Sequence, residues 1–578
     1  MDEGCFSCVT ITTNRVAPTV SSAAPAYVFK PHERPTLPGS PANPDHPAYR
    51  RLGYLLAAIL IGITGGLGSA FVTVNLPFVQ GTLGLTPDEG AWLLAAYYMT
   101  NVTANLLLIK YRQQFGLQPF VRYVLGVYAL VTIAHLFIHD FWSTMAVRAI
   151  SGLAGSGLST LTILYFMQGL TAPKRLAGIM LGISVPQIAI PLARVLSPDL
   201  LTWGDWRMTY VFECGLALAT LAAVIALPLP PSEREKVFER TDFLTFGMLA
   251  PGLCLLIAVL CQGRLLWWTE TPWIGLALAA AIVLIAAALL VEHGRRNPLI
   301  NTRWLGTSVI LRLMLVAASV RILLSEQSFG SVGLLTVVGM GVEQMLTLNL
   351  VVVLASVAGV IVMLATFRPH DVGLPIGIAI LMIAVAAFMD ANASNLTRPA
   401  DFYLTQAMIG FASVLFLGTA MVIGIARTLL AGTQNLVSFV VRFSVSQSIG
   451  GLAGSAALGT FQIVREKFHS HELVQRIVLT DPLVAARIRS GGGALGGVVT
   501  DPDQRSAQGL VLLGRQVARE ANILAFNDVF FLVGVLASAA LLWTLAIRLS
   551  MRRRGEISPI IELQQRMQAP TGGVTARE

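Results

Sequence analysis

The sequence predicts an all-α protein threaded many times through a lipid bilayer, and three observations predict it. Of its 578 residues, 55% are hydrophobic and only 12% are charged, about half the roughly 25% charged share of ordinary soluble domains. The apolar residues fall in long runs, and a helix of about 20 apolar residues crosses the hydrocarbon of a bilayer. Barrel strands would instead alternate apolar and polar residues over segments of about 10. The charges collect in the short segments between the runs. In lipid every backbone polar group must be paired internally, so such runs fold as helices.

Fourteen spans are placed at 53–78, 91–109, 120–138, 143–168, 176–196, 208–229, 243–262, 273–291, 307–325, 345–367, 372–390, 403–426, 435–462 and 528–549. The ninth contains Arg312 and Arg321 and runs into a glycine-rich stretch, Phe329 to Gly341. Residues 1–50 are rich in Pro, Ala, Ser and Thr without an apolar period and read as a disordered tail. They lack the apolar core of a signal peptide. Cys5 and Cys8 form a CxxC in that tail, but no second pair completes a zinc site. Cys214, Cys254 and Cys261 lie in apolar runs and read as small hydrophobes.

The net charge is +9, and its distribution argues against nucleic acid as a partner, because the bases sit in separate short loops and not on one patch. One set of loops carries Lys110, Arg112 and Arg122; Lys174 and Arg175; Arg234, Lys236 and Arg240; Arg295, Arg296 and Arg303; Arg368; and Arg552 to Arg554. The alternate loops carry Asp88, Glu89, His139, Asp140, Asp199 and Asp205. The positive-inside rule makes the first set cytoplasmic, with both termini. The long segment 463–527 then falls outside; its flanks, Val464 to Ile477 and Ser506 to Leu524, read as short amphipathic helices.

An internal repeat is visible. Arg148-Ala149-x-x-Gly152-x-Ala154 in the fourth span resembles Gln406-Ala407-x-x-Gly410-x-Ala412 in the twelfth, 258 residues later. Ser184-Val185-Pro186-Gln187 resembles Ser444-Val445-Ser446-Gln447, 260 residues later. Near-equal offsets predict two parallel six-helix halves separated by two inserted helices. The expected organisation is a cytoplasmic tail (1–50), an N-terminal six-helix bundle (51–230) and two inserted helices (231–300). A C-terminal bundle (301–549, with 463–527 as its long periplasmic loop) and a second cytoplasmic tail (550–578) complete it.

Several stretches carry a family resemblance. Val72-Thr73-Val74-Asn75-Leu76-Pro77 is followed by Gly84 and Trp92; Lys110 to Arg122 forms a basic loop; Arg148 precedes Gly152, Gly155 and Gly157. Trp203-x-x-Trp206-Arg207, then Arg442 with Gly450 and Gly451, Phe468-His469-x-x-x-Leu473 and Ala525-Phe526-Asn527-Asp528-x-Phe530 follow in order. This series resembles the major facilitator superfamily in its fourteen-helix drug:proton antiporter branch (EmrB/QacA-like). The resemblance implies a carrier that exports small amphipathic solutes or drugs in exchange for protons by alternating access. It implies no cofactor, a bacterial inner membrane, and a periplasmic adaptor and outer-membrane channel as partners. Two departures stand out. Gly68 occupies the position of the family's first-helix Asp, and Ile190-Pro191-Leu192-Ala193-Arg194-Val195 stands where the family has GPxLGG.

An ionisable residue inside a span is expensive and therefore a functional candidate. The proton-coupling candidates are Glu213, Glu326 and Arg148; an Arg acts only indirectly, by holding a carboxylate ionised. The substrate-binding candidates are Arg194, Arg321 and Arg442, since arginine grips an anion in a bidentate fork. Gly152, Gly155, Gly157, Gly450, Gly451 and Gly454 are assigned to close helix packing. The excess of Arg over Glu leaves a second reading, an uncoupled or differently coupled carrier of organic anions. An integral-membrane enzyme is disfavoured: no phosphate loop occurs, and the histidines form no metal-ligand cluster within a span.

Overall fold

In the computed structural model the described residues are 33, 35, 39–171, 174–203, 205–295, 298–367, 370–432, 435–555 and 557–568. Cys5, Cys8, Arg296 and Arg368 lie outside them. The described residues are mainly helical. We label its long helices α1 (Ala48–Leu83), α2 (Pro87–Phe115), α3 (Leu117–Ala134), α4 (Phe141–Gly169), α5 (Ala177–Trp203), α6 (Arg207–Ala226) and α7 (Arg240–Gln262). Then follow α8 (Pro272–Gly294), α9 (Ser308–Val338), α10 (Leu346–Thr366), α11 (Gly373–Asp390), α12 (Pro399–Ala431), α13 (Leu436–Gln475) and α14 (Pro502–Arg553). Among the described residues thirteen of these are long and apolar enough to cross a membrane. The fourteenth, α13, spans 40 residues and packs among them against α9 and α14. Ser444, Ser446, Gln447 and Ser448 dilute its apolar character.

Local chemistry sets the helix ends. α1 stops at Gly84, whose φ of 64° lies in the left-handed region that glycine adopts without a Cβ penalty. Two residues later Thr86 begins α2 with a capping box to Glu89, and Pro87 fills the first helical position. α5 is interrupted by a tight 3-10 turn, Val185–Ile188, at Pro186, which cannot donate to the helical ladder.

The helices form two sets of six plus a pair. In the first set α4 packs against α1, α2 and α3, and α3 against α6. In the second, α12 packs against α10 and α11, while α14 packs against α11 and α13. The two sets meet where α5 lies on α10 and α12, and where α13 lies on α2. The pair α7–α8 attaches to α2. Lys110 Nζ of α2 binds both oxygens of the fully buried Asp242 at 2.8 Å, and Arg295 reaches Asp242, Glu239 and Glu292. At the other end Gln262 donates to the carbonyl of Asp88 at 2.9 Å, and Trp92 stacks on Trp273.

Three features differ from the sequence expectation. First, α9 continues through the glycine-rich stretch to Val338, with a π-helical turn at Glu326–Ser331; Gly339, at φ 96°, ends it. Glycine that packs within a bundle does not break a helix, because neighbouring apolar surface replaces the missing side chain. Second, the flanks of 463–527 are not separate short helices. They are continuations of α13 and α14, joined through a short helix, Pro482–Gly493. At 1.5 Å per residue, α13 and α14 are about 60 and 78 Å long. Both far exceed the roughly 30 Å hydrocarbon thickness, so they project as a hairpin.

Third, the tail does not run unstructured to residue 50. Ser40, Ala42 and Asn43 are buried. Pro41 bridges Ser232, Gln168 donates to the carbonyl of Ala42 at 2.9 Å, and Arg175 donates to that of Asn43 at 3.3 Å. This strap lies across the termini-side ends of α2, α4 and α5. Its composition hid the contact, because a strap of this kind gains its partners from distant helices and has no period of its own.

Candidate functional site

The first charged cluster lies inside the N-terminal six helices. Arg148, two turns into α4, is 1% exposed. Its Nη1 donates to the carbonyl of Gly68 on α1 at 3.0 Å, and its guanidinium lies 4.6 Å from the centre of the Tyr97 ring. A buried guanidinium needs such partners, since desolvating a charge costs several kcal/mol, and an aromatic face offsets part of it. Glu213 of α6 reaches the same place and is 2% exposed. Its Oε1 accepts from the Tyr128 hydroxyl of α3 at 2.8 Å. Among the described residues no hydrogen bond reaches Glu213 Oε2 or Arg148 Nε, and no ion pair joins the two side chains.

Gly68 explains how the acid fits. A Cβ at 68 would lie 2.6 Å from the Tyr128 hydroxyl oxygen and 2.8 Å from Glu213 Oε1. The Glu213 carboxylate therefore occupies the space that a side chain on α1 would fill. The acidic group expected on the first helix from the resembled pattern comes here from α6.

The second feature is a cavity of about 640 Å³ between the two sets of helices, among the helix ends opposite the termini. Arg194 of α5 and Arg321 of α9 line it, joined by Arg264 from the turn after α7; among the described residues no Asp or Glu lines it. Arg321 donates from Nε to the carbonyl of Gln447 at 3.2 Å and lies along Gly450 and Gly451, where a Cβ would sit 3.2 Å from it. Arg264 is 5.3 Å from the centre of the Phe329 ring. Tyr98 and Phe329 add aromatic surface. Its volume falls within the range of pockets that enclose drug-sized molecules. Three guanidinium groups, aromatic faces and neutral polar side chains suit a molecule with an apolar body and an acidic group.

Of the arginines expected at the binding site, Arg194 and Arg321 meet in this cavity and Arg442 does not. Arg442 is half-buried on α13. It lies five residues before Gln447, about 140° around a helix of 3.6 residues per turn, and more than a turn short of the stretch from Gln447 to Ala456 that reaches the cavity. Arg312 is exposed on α9. Glu326 stands apart from Arg148, in the second set of helices, where Gln406 donates to it at 3.1 Å. A methyl at Gly152 would overlap the Tyr97 carbonyl and the Thr100 hydroxyl, so α2 and α4 touch there backbone to backbone. Gly155 faces the Tyr97 hydroxyl, Gly157 faces Val124, and Gly454 faces Ser325 and Ile322. Arg264, Tyr128 and Asp390 were not singled out from sequence. Arg264 reads as a loop base, and nothing local marks the other two.

No family model matches the chain. In sequence it is similar to the "Multidrug resistance protein B homolog" of Mycobacterium tuberculosis (strain CDC 1551 / Oshkosh). The two are 21% identical over 502 residues, covering 84% of this chain and 87% of that protein. It is also similar to the "Probable multidrug resistance protein EmrY" of Escherichia coli (strain K12), 20% identical over 238 residues, 41% of this chain and 46% of that protein. In fold it matches a peptide transporter POT solved in complex with sulfate, with a TM-score of 0.53 at 12% identity over 87% of this chain and 96% of that one. The chain has the major facilitator fold. Tetrameric PepTSo2, also a structural match, has a TM-score of 0.53 at 12% identity, over 87% of this chain and 99% of that one. Both structural matches speak for the fold alone. The chain is a multi-pass membrane protein, and its cavity lies where its two halves meet.

Proposed function

We propose that the transporter exports small amphipathic solutes in exchange for protons by alternating access, in a bacterial inner membrane with both termini cytoplasmic. The observation that carries this reading is the position of Glu213. It is a buried carboxyl with one oxygen unpartnered among the described residues, in a pocket that also holds Arg148. A proton on Glu213 removes its attraction to Arg148. Among the described residues Arg148 then keeps the Gly68 carbonyl and the Tyr97 ring, so the contact between α1, α4 and α6 depends on whether the proton is bound. With the termini inside, the cavity faces outward, the state in which a proton would enter from outside and a solute would leave. The similarity to multidrug resistance proteins supports the class of solute.

A second reading rests on the cavity itself. Three arginines with no acid among the lining residues favour an organic anion, carried without protons or with another coupling ion. One experiment separates the two. The full-length protein is reconstituted in liposomes that enclose a pH dye, and flux of carboxyfluorescein and of ethidium is recorded beside internal pH. Proton movement with either solute, lost in Glu213→Gln while the protein stays folded, is the expected result. Solute flux with no proton movement in the wild type overturns exchange and leaves the second reading. Carboxyfluorescein flux that falls in Arg194→Gln and Arg321→Gln, with ethidium flux spared, assigns the arginines to an anion.

A further inference from the structure

The mechanism above leaves a second set of buried acids unused. Glu326 of α9 is 0% exposed and Asp390, at the end of α11, is 4% exposed. Gln406 of α12, 1% exposed, places its single Nε2 at 3.1 Å from Glu326 Oε1 and at 3.1 Å from Asp390 Oδ2. The amide thus spends both its hydrogens on two carboxyl groups. Glu326 Oε2 and Gln406 Oε1 are left without a partner among the described residues.

Among the described residues no cation faces this pair from the elements packed around it. α12 contributes Thr405 and Gln406, both neutral. α14 contributes the rings of Phe526 and Phe530, which lie against Gly333 and Gly330. α13 approaches through Gly451 and Gly454, which carry no side chain. Arg321, on α9 itself, is engaged with the Gln447 carbonyl of α13, and Arg264 lies over Phe329. Two carboxylates that share one neutral donor in low dielectric cannot both carry charge. A proton between them resolves the conflict without any cation.

The placement repeats that of the first half. Glu326 follows Gly68 by 258 residues, and Gln406 follows Arg148 by the same number. Arg148 reaches from α4 to Gly68 on α1, and Gln406 reaches from α12 to Glu326 on α9. One half therefore holds an acid beside an arginine, and the other holds two acids joined by an amide. Two further features connect the second set to transport. Gln406 itself lines the cavity, as do Gln327 and Ser331. Glu326 also opens the π-helical turn of α9, a local widening that recurs at functional sites.

We propose that Glu326, Asp390 and Gln406 form a second proton-binding site, so that each half of the transporter binds a proton of its own. The proposal extends the proton-exchange reading but is tested at different residues. The full-length protein in lipid is studied by infrared difference spectroscopy between mildly acidic and alkaline pH, where exposed carboxyls stay ionised, following the carbonyl stretch of protonated carboxyl groups. Two pH-dependent components are expected. Glu326→Gln and Asp390→Asn should each remove the same one and spare the other, which Glu213→Gln should remove. Gln406→Arg, which puts a cation between the two acids, should abolish that first component with both carboxyls still present, and it keeps the test open if either acid variant fails to fold. Spectra unchanged in these three variants overturn the second site, as does a carbonyl signal that belongs to the pair but does not respond to pH, which would mark a locked structural contact. A component lost in Glu326→Gln but unchanged in Glu213→Gln upholds the second site and counts against Glu213 instead.

Discussion

At the scale of single residues, the exchange of positions between Gly68 and Glu213 makes a sharp prediction. Glu213→Ala empties the space beside Cα of Gly68. Gly68→Asp in that background should restore a carboxyl near Arg148 and recover proton movement that Glu213→Ala alone abolishes. Gly68→Asp by itself should impair the protein, because the new side chain would collide with Glu213 and Tyr128. Proton flux in liposomes checks both; a double variant as inactive as Glu213→Ala would mean that Glu213 acts through its exact position. A second residue lies outside the membrane. His46 in the strap is 2.9 Å from Gln168 Oε1. Burial is the largest cause that lowers its pKa below the ordinary 6.5, with Arg50 and Arg175 acting in the same direction and Gln168 opposing. The folded strap therefore favours neutral His46. Its contribution is present above about pH 6.5 and is lost as pH falls through the lower folded value. The protection of the backbone amides of residues 39–46 against hydrogen exchange, relative to their intrinsic rates, should fall on acidification, and His46→Gln should remove that dependence.

At the scale of elements, the α7–α8 pair is held to α2 by a buried charge network. Asp242 is fully buried and binds Lys110 and Arg295 together. Removing one partner of a buried pair strands the others and costs about 3–5 kcal/mol. Asp242→Asn should lower the thermal stability of the detergent-solubilised protein accordingly, and Lys110→Met paired with it should recover part of the loss. An unchanged melting temperature in Asp242→Asn would mean that α7 and α8 are held by apolar packing alone. The projecting hairpin of α13 and α14 shows a different principle. Its base is tied by Arg465 and His469 to Asp528, and by Gln462 to Asn522. These contacts let helices continue beyond the hydrocarbon, where sequence hydropathy no longer reports them.

At the scale of the whole molecule, the two halves use one architecture for two kinds of acid site and share one cationic cavity. Arg194 comes from the first half and Arg321 from the second, so the cavity is complete only while the halves are apposed at this end. On the proposed alternating access, rocking one half against the other would separate the two guanidinium groups and so weaken a grip on an acidic solute as the site changes its exposure.

Asp390 was not singled out and Arg312 is exposed, but the spans, their order and the burial of Arg148, Glu213 and Glu326 were legible in the sequence. Each depends on local hydropathy or on spacing along the chain, and lipid enforces the helix wherever the run is long enough. Which charges meet was not legible. Arg148 near Glu213, Glu326 near Asp390, and Arg194 with Arg264 and Arg321 around one cavity are each brought together from different segments, and the facing of a side chain depends on how the helices rotate and cross. The exclusion of Arg442 from the cavity, the continuation of α9 through its glycines and the docking of the strap at Ala42 have the same origin. Packing between distant segments chose them, and only the tertiary structure decided it.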